Sequence, residues 1–432
     1  MEASVILIVS FFVLLALNLP IAVCMGLSTF LAILLSDITV PPVLMAQRVF
    51  ATLDSFPFMA VPFFILSGTL MEHGGMSRRL IDLAKCIVGR LVGGLAYITI
   101  IASAFFGALT GSAAATVAAI GGIMIPSMKK EGYPHDFSAA TAAAGGTFGV
   151  VFPPSVPMVT YAVIANVSVG SMFMGGFVPG FLLAISILIT IHIMTRKMTI
   201  APQEEKEVEK ITLGKAFVRS TGALMMPVII LGGIYSGFST PTEAAAIAVI
   251  YSLIMAIYGY REIKWKDMPN IFVIAGRTTA MIMIIVGMSG AFSWLLTNQR
   301  IPDLIANSIL GLTTNFYMII FIAVALMLIA GMVIETNALI LMLAPIFLPI
   351  MAQIGYNPIA FGLVMVITTA VGKLIPPMAL NVMVASSISG LSIEAIAKRC
   401  IPYLVGLIFV TLIVSFFPEI LLFLPRLVGL PV

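Results

Sequence analysis

Two short polar stretches interrupt the apolar segments of this chain, and both contain groups that could bind ions. The first, GALTGSAAAT from Gly107, sets the hydroxyls of Thr110 and Ser112 beside the backbone amides of a half-helix beginning near Ala113. Such amides attract a carboxylate, and hydroxyl oxygens suit a hard cation such as Na⁺. Close helix packing by the small residues 113–119 is the alternative. The pattern favours a functional role for Ser112.

The second polar stretch, AGMVIETNAL from Ala330, supplies Glu335, Thr336 and Asn337. Glu335 is ionisable within an otherwise apolar segment, and such a group at membrane depth usually has a function or a partner. It could instead cap the half-helix that follows it. Both interpretations of Glu335 remain open from the sequence.

Each polar stretch is followed by a segment interrupted by two adjacent prolines. GTFGVVFPPSVP begins at Gly146, and GKLIPP begins at Gly372. Adjacent prolines remove two amide donors and free carbonyl groups one turn earlier, and Gly149 tolerates unusual backbone angles. Those carbonyls are potential Na⁺ ligands. A simple proline kink is the alternative, but its recurrence in the same context favours two functional breaks.

The composition indicates that membrane-spanning helices carry these groups. Of 432 residues, 61% are hydrophobic and 9% are charged, whereas soluble domains are about 25% charged. Several apolar runs approach the ~20 residues of a membrane-spanning helix, and the alternating pattern of an outer-membrane barrel is absent. The sequence therefore predicts an all-α polytopic membrane protein without a soluble domain.

The two halves of the chain are related by a constant offset of 223 residues. Pro126, Gly132 and Tyr133 align with Pro349, Gly355 and Tyr356, and the two Pro-Pro pairs align without a gap. We interpret this as a duplication with repeats 1–195 and 220–432, joined by a charged linker, 196–219. Each repeat has six elements, including a longer helix (47–72; 270–297), a polar-tipped hairpin (92–128; 313–350) and a broken helix (137–166; 358–388). The hairpins are predicted to be re-entrant, and single long helices are the alternative.

The basic residues predict the topology. We assume that the N-terminus is outside and that each hairpin enters and leaves the membrane on the same side. The Lys and Arg residues outside the membrane elements then lie in the cytoplasm, except Arg48, Arg300 and Arg426. The two repeats then have opposite orientations. Inverted repeats with discontinuous helices are typical of secondary transporters, whose sites lie near the bilayer midplane.

Other classes of protein are disfavoured by what the sequence lacks. The net charge of +4 is small and scattered, so nucleic acid is not an expected partner. The three cysteines and three histidines are dispersed, and no paired membrane carboxylates occur, which argues against an intramembrane enzyme or a structural metal. No repeated filter sequence or ring of like charge favours a passive channel.

Asp54 is predicted to cap a helix, and residues 76–90 are predicted to form an amphipathic helix along the inner membrane surface.

These motifs together resemble one known family. FPFMAVPFFILSGTLMEHGG, FFGALTGSAAATVAAIGGIMIPSM, GTFGVVFPPSVP, AGMVIETNALILMLAPIFLP and GKLIPPMALNV occur in order across both halves. The chain resembles the large membrane subunit of tripartite ATP-independent periplasmic (TRAP) transporters, the DctM-like proteins. The resemblance implies an elevator-type, Na⁺-driven importer of an organic acid in the bacterial inner membrane. The implied partners are a periplasmic binding protein and a small membrane subunit, with no organic cofactor; a stand-alone anion symporter is the alternative.

Site residues follow from the same resemblance. The implied first Na⁺ site comprises Gly111, Ser112, Gly149, Pro153, Pro154 and Ser155. The implied second site comprises Gly331, Thr336, Asn337, Gly372 and Met378. Substrate would lie between the two tips, near Thr110, Ser112, Glu335, Asn337 and Asn381.

The second break departs from the family pattern. Such proteins usually have Thr-Pro-Pro there, whereas this chain has Ile375-Pro376-Pro377, with Lys373 just before it. A charged side chain at membrane depth costs at least ~2.5 kcal/mol on insertion scales and so needs a partner or a task. Lys373 could form an ion pair with Glu335, receive the substrate carboxylate, or replace the second Na⁺.

Overall fold

The protein is all-helical wherever its structure is described. A computed structural model describes residues 2–17, 19–36, 40–88, 93–196, 198, 213–313 and 315–432, and these ranges contain helices and no strands. Most of the predicted charged linker lies outside the described residues. The predicted all-α class is confirmed.

The helices follow the predicted order of elements. The first half contains α1 (Ala3–Ala16), α2 (Ile21–Leu35), α3 (Val43–Leu53), α4 (Ala60–His73), α5 (Met76–Val88), α6 (Gly94–Thr110), α7 (Ala113–Thr116), α8 (Gly122–Lys130), α9 (His135–Gly145), α10 (Phe148–Val151), α11 (Val156–Ile164) and α12 (Val169–Thr195). The second half contains α13 (Leu213–Tyr235), α14 (Pro241–Ile254), α15 (Met268–Asn298), α16 (Ile301–Leu312), α17 (Phe316–Gly331), α18 (Thr336–Gln353), α19 (Pro358–Gly372), α20 (Leu380–Ser389), α21 (Ile393–Phe416) and α22 (Glu419–Leu427). A π-helical turn, Val117–Gly121, joins α7 to α8.

Many of these helices are long and apolar enough to cross a bilayer. Within the described ranges they are His135–Ile164, Val169–Thr195, Leu213–Tyr235, Pro241–Gly259, Trp265–Asn298, Thr336–Gln353 and Ile393–Phe416. The first of these contains the first Pro-Pro break and is almost wholly buried within the protein. Non-helical backbone at membrane depth requires such burial because hydrocarbon offers it no hydrogen-bond partners. The prediction of a multi-pass membrane protein is confirmed.

The predicted long helix over residues 47–72 is wrong in one respect, because the chain bends there by 64° between α3 and α4. Ser55 is extended, and Pro57 lies in the 3₁₀ turn Phe56–Met59. Proline disfavours the helical conformation of the preceding residue and so interrupts the helix. Asp54 ends α3, and among the described residues its side chain caps no helix N-terminus, so the predicted capping is not found.

The helices pack into two groups joined by two connecting helices. We call α1–α4 with α13–α15 the outer group, and α6–α12 with α17–α22 the inner group. α5 contacts both α6 and α13, and α16 contacts both α15 and α18. The apolar side of α5, predicted to face the membrane surface, is buried against protein at Met76, Leu80 and Ile81. The connecting helices are therefore built into the contact between the two groups.

The inner group is a single core to which both halves contribute. The Tyr161 hydroxyl of α11 donates to the Pro358 carbonyl at 2.6 Å, and the Thr141 hydroxyl lies 2.8 Å from that of Tyr403. A methyl group added to Gly362 would lie 2.1 Å from the Tyr161 ring, so the glycine makes room for it. These contacts hold the first broken helix against α19 and α21 of the second half.

Candidate functional site

The first hairpin reverses direction at Gly111 and Ser112. Gly111 ends α6 in a left-handed conformation, φ +61°, which glycine adopts without strain. Ser112 is extended, and its hydroxyl accepts the Ala115 N–H at 3.4 Å, capping the next half-helix. The Thr110 hydroxyl donates to the Phe106 carbonyl at 3.2 Å within its own helix. Two helical limbs therefore meet at Gly111 and Ser112, and Ser112 lies at the tip between them.

The first break separates α10 from α11 and is fully buried. Phe152 leaves the helix in an extended conformation, and α11 restarts at Val156 after the two prolines. The Ser155 hydroxyl donates to the Val150 carbonyl at 2.6 Å, which satisfies one of the carbonyls freed by the break. Ser155 therefore has a structural bond in addition to its predicted place in an ion site.

The tip and the break are in direct backbone contact. A methyl group on Gly149 would lie 2.3 Å from the Ser112 carbonyl oxygen and 2.7 Å from the Ala113 nitrogen. One on Gly111 would lie 3.7 Å from the Pro154 carbonyl oxygen, and one on Gly107 would lie 2.8 Å from the Gly149 nitrogen. The structure thus brings together four of the six residues predicted for the first site: Gly111, Ser112, Gly149 and Pro154.

This arrangement suits a hard monovalent cation. The oxygen atoms at this contact are the Ser112 hydroxyl and carbonyl and the Pro154 carbonyl, and no charged side chain lies in the tip. The Ser112 carbonyl also accepts the Thr116 N–H at 3.1 Å and the Thr116 hydroxyl at 2.8 Å. Glycines at 107 and 149 are required because any side chain would separate the two backbones. Gly107 was not singled out from the sequence, although its position one turn before the tip was a usable signal.

The second tip is organised by Glu335. Its carboxylate accepts the N–H groups of Asn337 at 2.7 Å and Ala338 at 3.4 Å, so the predicted capping of α18 is present. The same carboxylate lies 3.6 Å from the Lys373 ammonium. The Lys373 side chain is 3% exposed and that of Glu335 is 43% exposed. Capping and ion pairing therefore occur together, although the sequence presented them as alternatives.

The second break differs from the first in its burial. Gly372 meets Gly331 across the two backbones, where an added methyl group would lie 2.9 Å from the Gly331 carbonyl carbon. Pro376, Pro377 and Met378 are exposed, whereas all of residues 151–155 are buried. The close glycine contact occurs in both halves, but the second break offers no side-chain oxygen at 378.

Asn337 and Asn381 connect the second half to the first broken helix. The Asn337 side-chain oxygen accepts the Thr160 hydroxyl at 3.2 Å, and the Asn381 amide nitrogen donates to the Ala143 carbonyl at 3.2 Å. The Asn381 backbone N–H also donates to the Lys373 carbonyl at 3.2 Å. Thr160 was not identified from the sequence because nothing distinguishes it from a packing threonine.

Three buried oxygen atoms in the second hairpin and broken helix have no hydrogen-bond partner within the described residues. They are the hydroxyls of Thr336 and Thr368 and the side-chain oxygen of Asn381. Unpaired buried polar atoms are costly, and a ligand that pairs them recovers that cost. Asn381 was predicted to contact substrate, and its free oxygen suits that role. Thr368 was not predicted, since it lies in an uninterrupted helical stretch.

A separate cavity lies between the two groups of helices. Its volume is about 310 Å³, and its polar lining comes from Thr52, Ser55, Ser289 and Ser293. α11 and α18 of the inner group form the opposite wall through Val163, Ile164 and Leu341. The contact between the outer and inner groups is therefore incompletely packed at this place.

Comparisons with known proteins identify the family of the chain. The family model described as the tripartite ATP-independent periplasmic transporter, DctM component, matches residues 8–420. The isethionate TRAP transporter permease protein DctMQ of Oleidesulfovibrio alaskensis is 41% identical over 409 residues. That match covers 95% of this chain but 64% of the relative. The C4-dicarboxylate TRAP transporter large permease protein DctM of Pseudomonas aeruginosa is 39% identical, covering 89% of this chain and 90% of the relative.

A solved structure shares the fold. The YdaH transporter of Alcanivorax borkumensis superposes with a TM-score of 0.62 over 95% of this chain and 97% of its own, at 15% sequence identity. This likeness concerns the architecture alone. The two sequence relatives are named as permeases rather than enzymes. From the family match and these identities, the chain belongs to the DctM component family of tripartite ATP-independent periplasmic transporters.

Proposed function

We propose that this chain is the transport subunit of a Na⁺-coupled TRAP transporter that imports an organic acid across the bacterial inner membrane. In this proposal a periplasmic binding protein delivers the acid, and a small membrane subunit completes the complex. The observation that carries the proposal is the contact between the Ser112 tip and the Gly149 break, which gathers uncharged oxygen ligands. Relatives named for isethionate and for C4-dicarboxylates support an organic anion as substrate.

Substrate in this proposal lies between the two hairpin tips. Asn381 presents a buried, unpaired oxygen to this region, and the half-helix after Ser112 presents its amides. Helix N-termini favour carboxylates because their free N–H groups point at the ligand. A Na⁺ at Ser112 would add positive charge on the same side, so ion and organic anion would bind cooperatively.

We further propose that the inner group moves as a body against the outer group, with inverted repeats 1–195 and 220–432 and a periplasmic N-terminus. The glycine contacts at 107/149 and 331/372 support two repeats, since equivalent helices meet in the same way in each half. The cavity between the outer and inner groups, and the connecting helices α5 and α16, support sliding of the inner group along the outer group. This is the geometry of an elevator-type carrier.

The function is tested by reconstitution. Uptake into proteoliposomes of the organic acid that the binding protein retains on purification should require that protein, the small subunit and an inward Na⁺ gradient. Omitting any one of the three should reduce uptake to the level of empty vesicles. Full-rate uptake of the free acid without binding protein would instead support a stand-alone symporter.

Ser112→Ala tests the first ion site. Removing one oxygen ligand should raise the Na⁺ concentration for half-maximal uptake about tenfold, since a hydrogen bond or ligand to a charged group is worth ~1.5 to 3 kcal/mol. Ser127→Ala is the control, because that hydroxyl bonds only the Ile123 carbonyl within its own helix. An unchanged Na⁺ dependence in Ser112→Ala would leave Ser112 a packing and capping residue.

A further inference from the structure

Lys373 and Glu335 are the only charged side chains in the second hairpin and broken helix, residues 316–389. The ammonium is buried, and Glu335 is its one carboxylate partner within the described residues, at 3.6 Å. Glu335 in turn begins α18 at the tip. A single fixed positive charge thus links the second break to the second tip.

The first half makes the corresponding connection without any fixed charge. At the offset of 223 residues, Lys373 corresponds to Val150 and Met378 to Ser155. In the first half the Ser112 carbonyl meets Gly149, and the surrounding donors are neutral oxygens. In the first half, neutral oxygen atoms lie where a free cation could bind. In the second half, the equivalent positive charge is the ammonium group of Lys373 itself.

Charge balance argues against a Na⁺ beside Lys373. The neutral hydroxyls of Thr336 and Thr368 in this half are buried without partners. Among the residues that the structure describes, the one carboxylate paired with Lys373 is that of Glu335. That carboxylate already faces the ammonium and two backbone N–H groups. An added Na⁺ would place a second cation beside the buried Lys373 ammonium, where repulsion between like charges is screened less than in water.

We propose that the Lys373 ammonium takes the place of a second coupled Na⁺, so that this protein binds one Na⁺ per chain, at the Ser112 tip. The tethered charge holds the second tip against the second break in every transport cycle, whereas the first tip closes on its break only when Na⁺ is bound. This inference rests on the proposed Na⁺ coupling and specifies its stoichiometry.

The number of sites is counted directly with Na⁺ alone. Equilibrium ²²Na⁺ binding to the full chain, purified with its small subunit in lipid nanodiscs, should saturate at one ion per chain without cooperativity. Two ions per chain in the wild type would overturn the inference while leaving Na⁺ coupling intact. No saturable binding at all would overturn the proposed function itself, so the two failures are distinguishable.

A designed second site provides the gain-of-function test. The double variant Lys373→Val with Met378→Ser gives the second break the residues that the first has at the equivalent positions 150 and 155, and it should bind two Na⁺ per chain. Met378→Ser alone and Lys373→Arg retain a fixed cation and should still bind one. A double variant that folds, as judged by its elution with the small subunit, and still binds one Na⁺ would overturn the inference. If it does not assemble, the wild-type count decides.

Discussion

Gly149→Ala should strongly reduce transport, because the added methyl group has no space between the first break and the first tip. It would lie 2.3 Å from the Ser112 carbonyl oxygen and 2.5 Å from its carbon, both of them backbone atoms of a buried turn. Overpacking a close contact costs ~1 to 3 kcal/mol even where side chains can adjust. Here the tip itself must move away from the break, and the oxygen ligands would separate. We expect uptake per molecule of membrane-inserted protein to fall at least about tenfold, with Na⁺ dependence lost.

Gly122→Ala is the matched control for this effect. Gly122 lies in the same hairpin, has ordinary helical angles, and has nothing within 4 Å of an added methyl group. Alanine there should leave uptake unchanged and stabilise the helix slightly by reducing the freedom of the unfolded chain. Wild-type uptake and Na⁺ dependence in Gly149→Ala would show that the contact between tip and break is not needed for transport.

The tips and breaks could be predicted from the sequence because local chemistry determines them. Paired prolines cannot continue a helix, and a Gly-Ser turn within an apolar run leaves amides that a helix start can use. Hence the hairpin reversal at Gly111 and the restart of helix at Val156 occur where the residues indicate.

Contacts between distant elements could not be predicted in this way. The bond from Asn381 to the Ala143 carbonyl joins residues far apart in sequence, and neither residue has a local signal for the other. The exposure of Pro376 against the burial of Pro153 depends on which helices pack over each break. The sequence does not predict the bend after α3, because Pro57 lies within a long apolar run that is typical of an uninterrupted helix.

The sequence alone leaves the role of Glu335 open. The contacts of Glu335 in the structure predict that removing this residue and removing Lys373 have unequal effects on stability. Glu335→Ala should destabilise the purified protein much more than Lys373→Met does. Removing the carboxylate leaves a buried ammonium without its one counter-charge, which costs ~3 to 5 kcal/mol in buried pairs. It also removes the cap that accepts two N–H groups at the start of α18. Removing the lysine instead leaves a carboxylate that is 43% exposed and keeps its cap bonds.

The thermal unfolding midpoint in detergent measures this asymmetry, and the double variant completes the cycle. Glu335→Ala with Lys373→Met should recover most of the stability lost in Glu335→Ala alone, because the unpaired ammonium is then gone. Glu419→Ala is the control: it breaks the exposed pair with Arg426, and such surface pairs contribute ~0 to 1 kcal/mol. Equal losses of stability in both single variants, with no recovery in the double variant, would contradict the argument that the main energetic cost in this pair is the burial of the Lys373 ammonium. Recovery would mean that Glu335 stabilises this tip chiefly by neutralising the cation, and that the capping bonds contribute the smaller part.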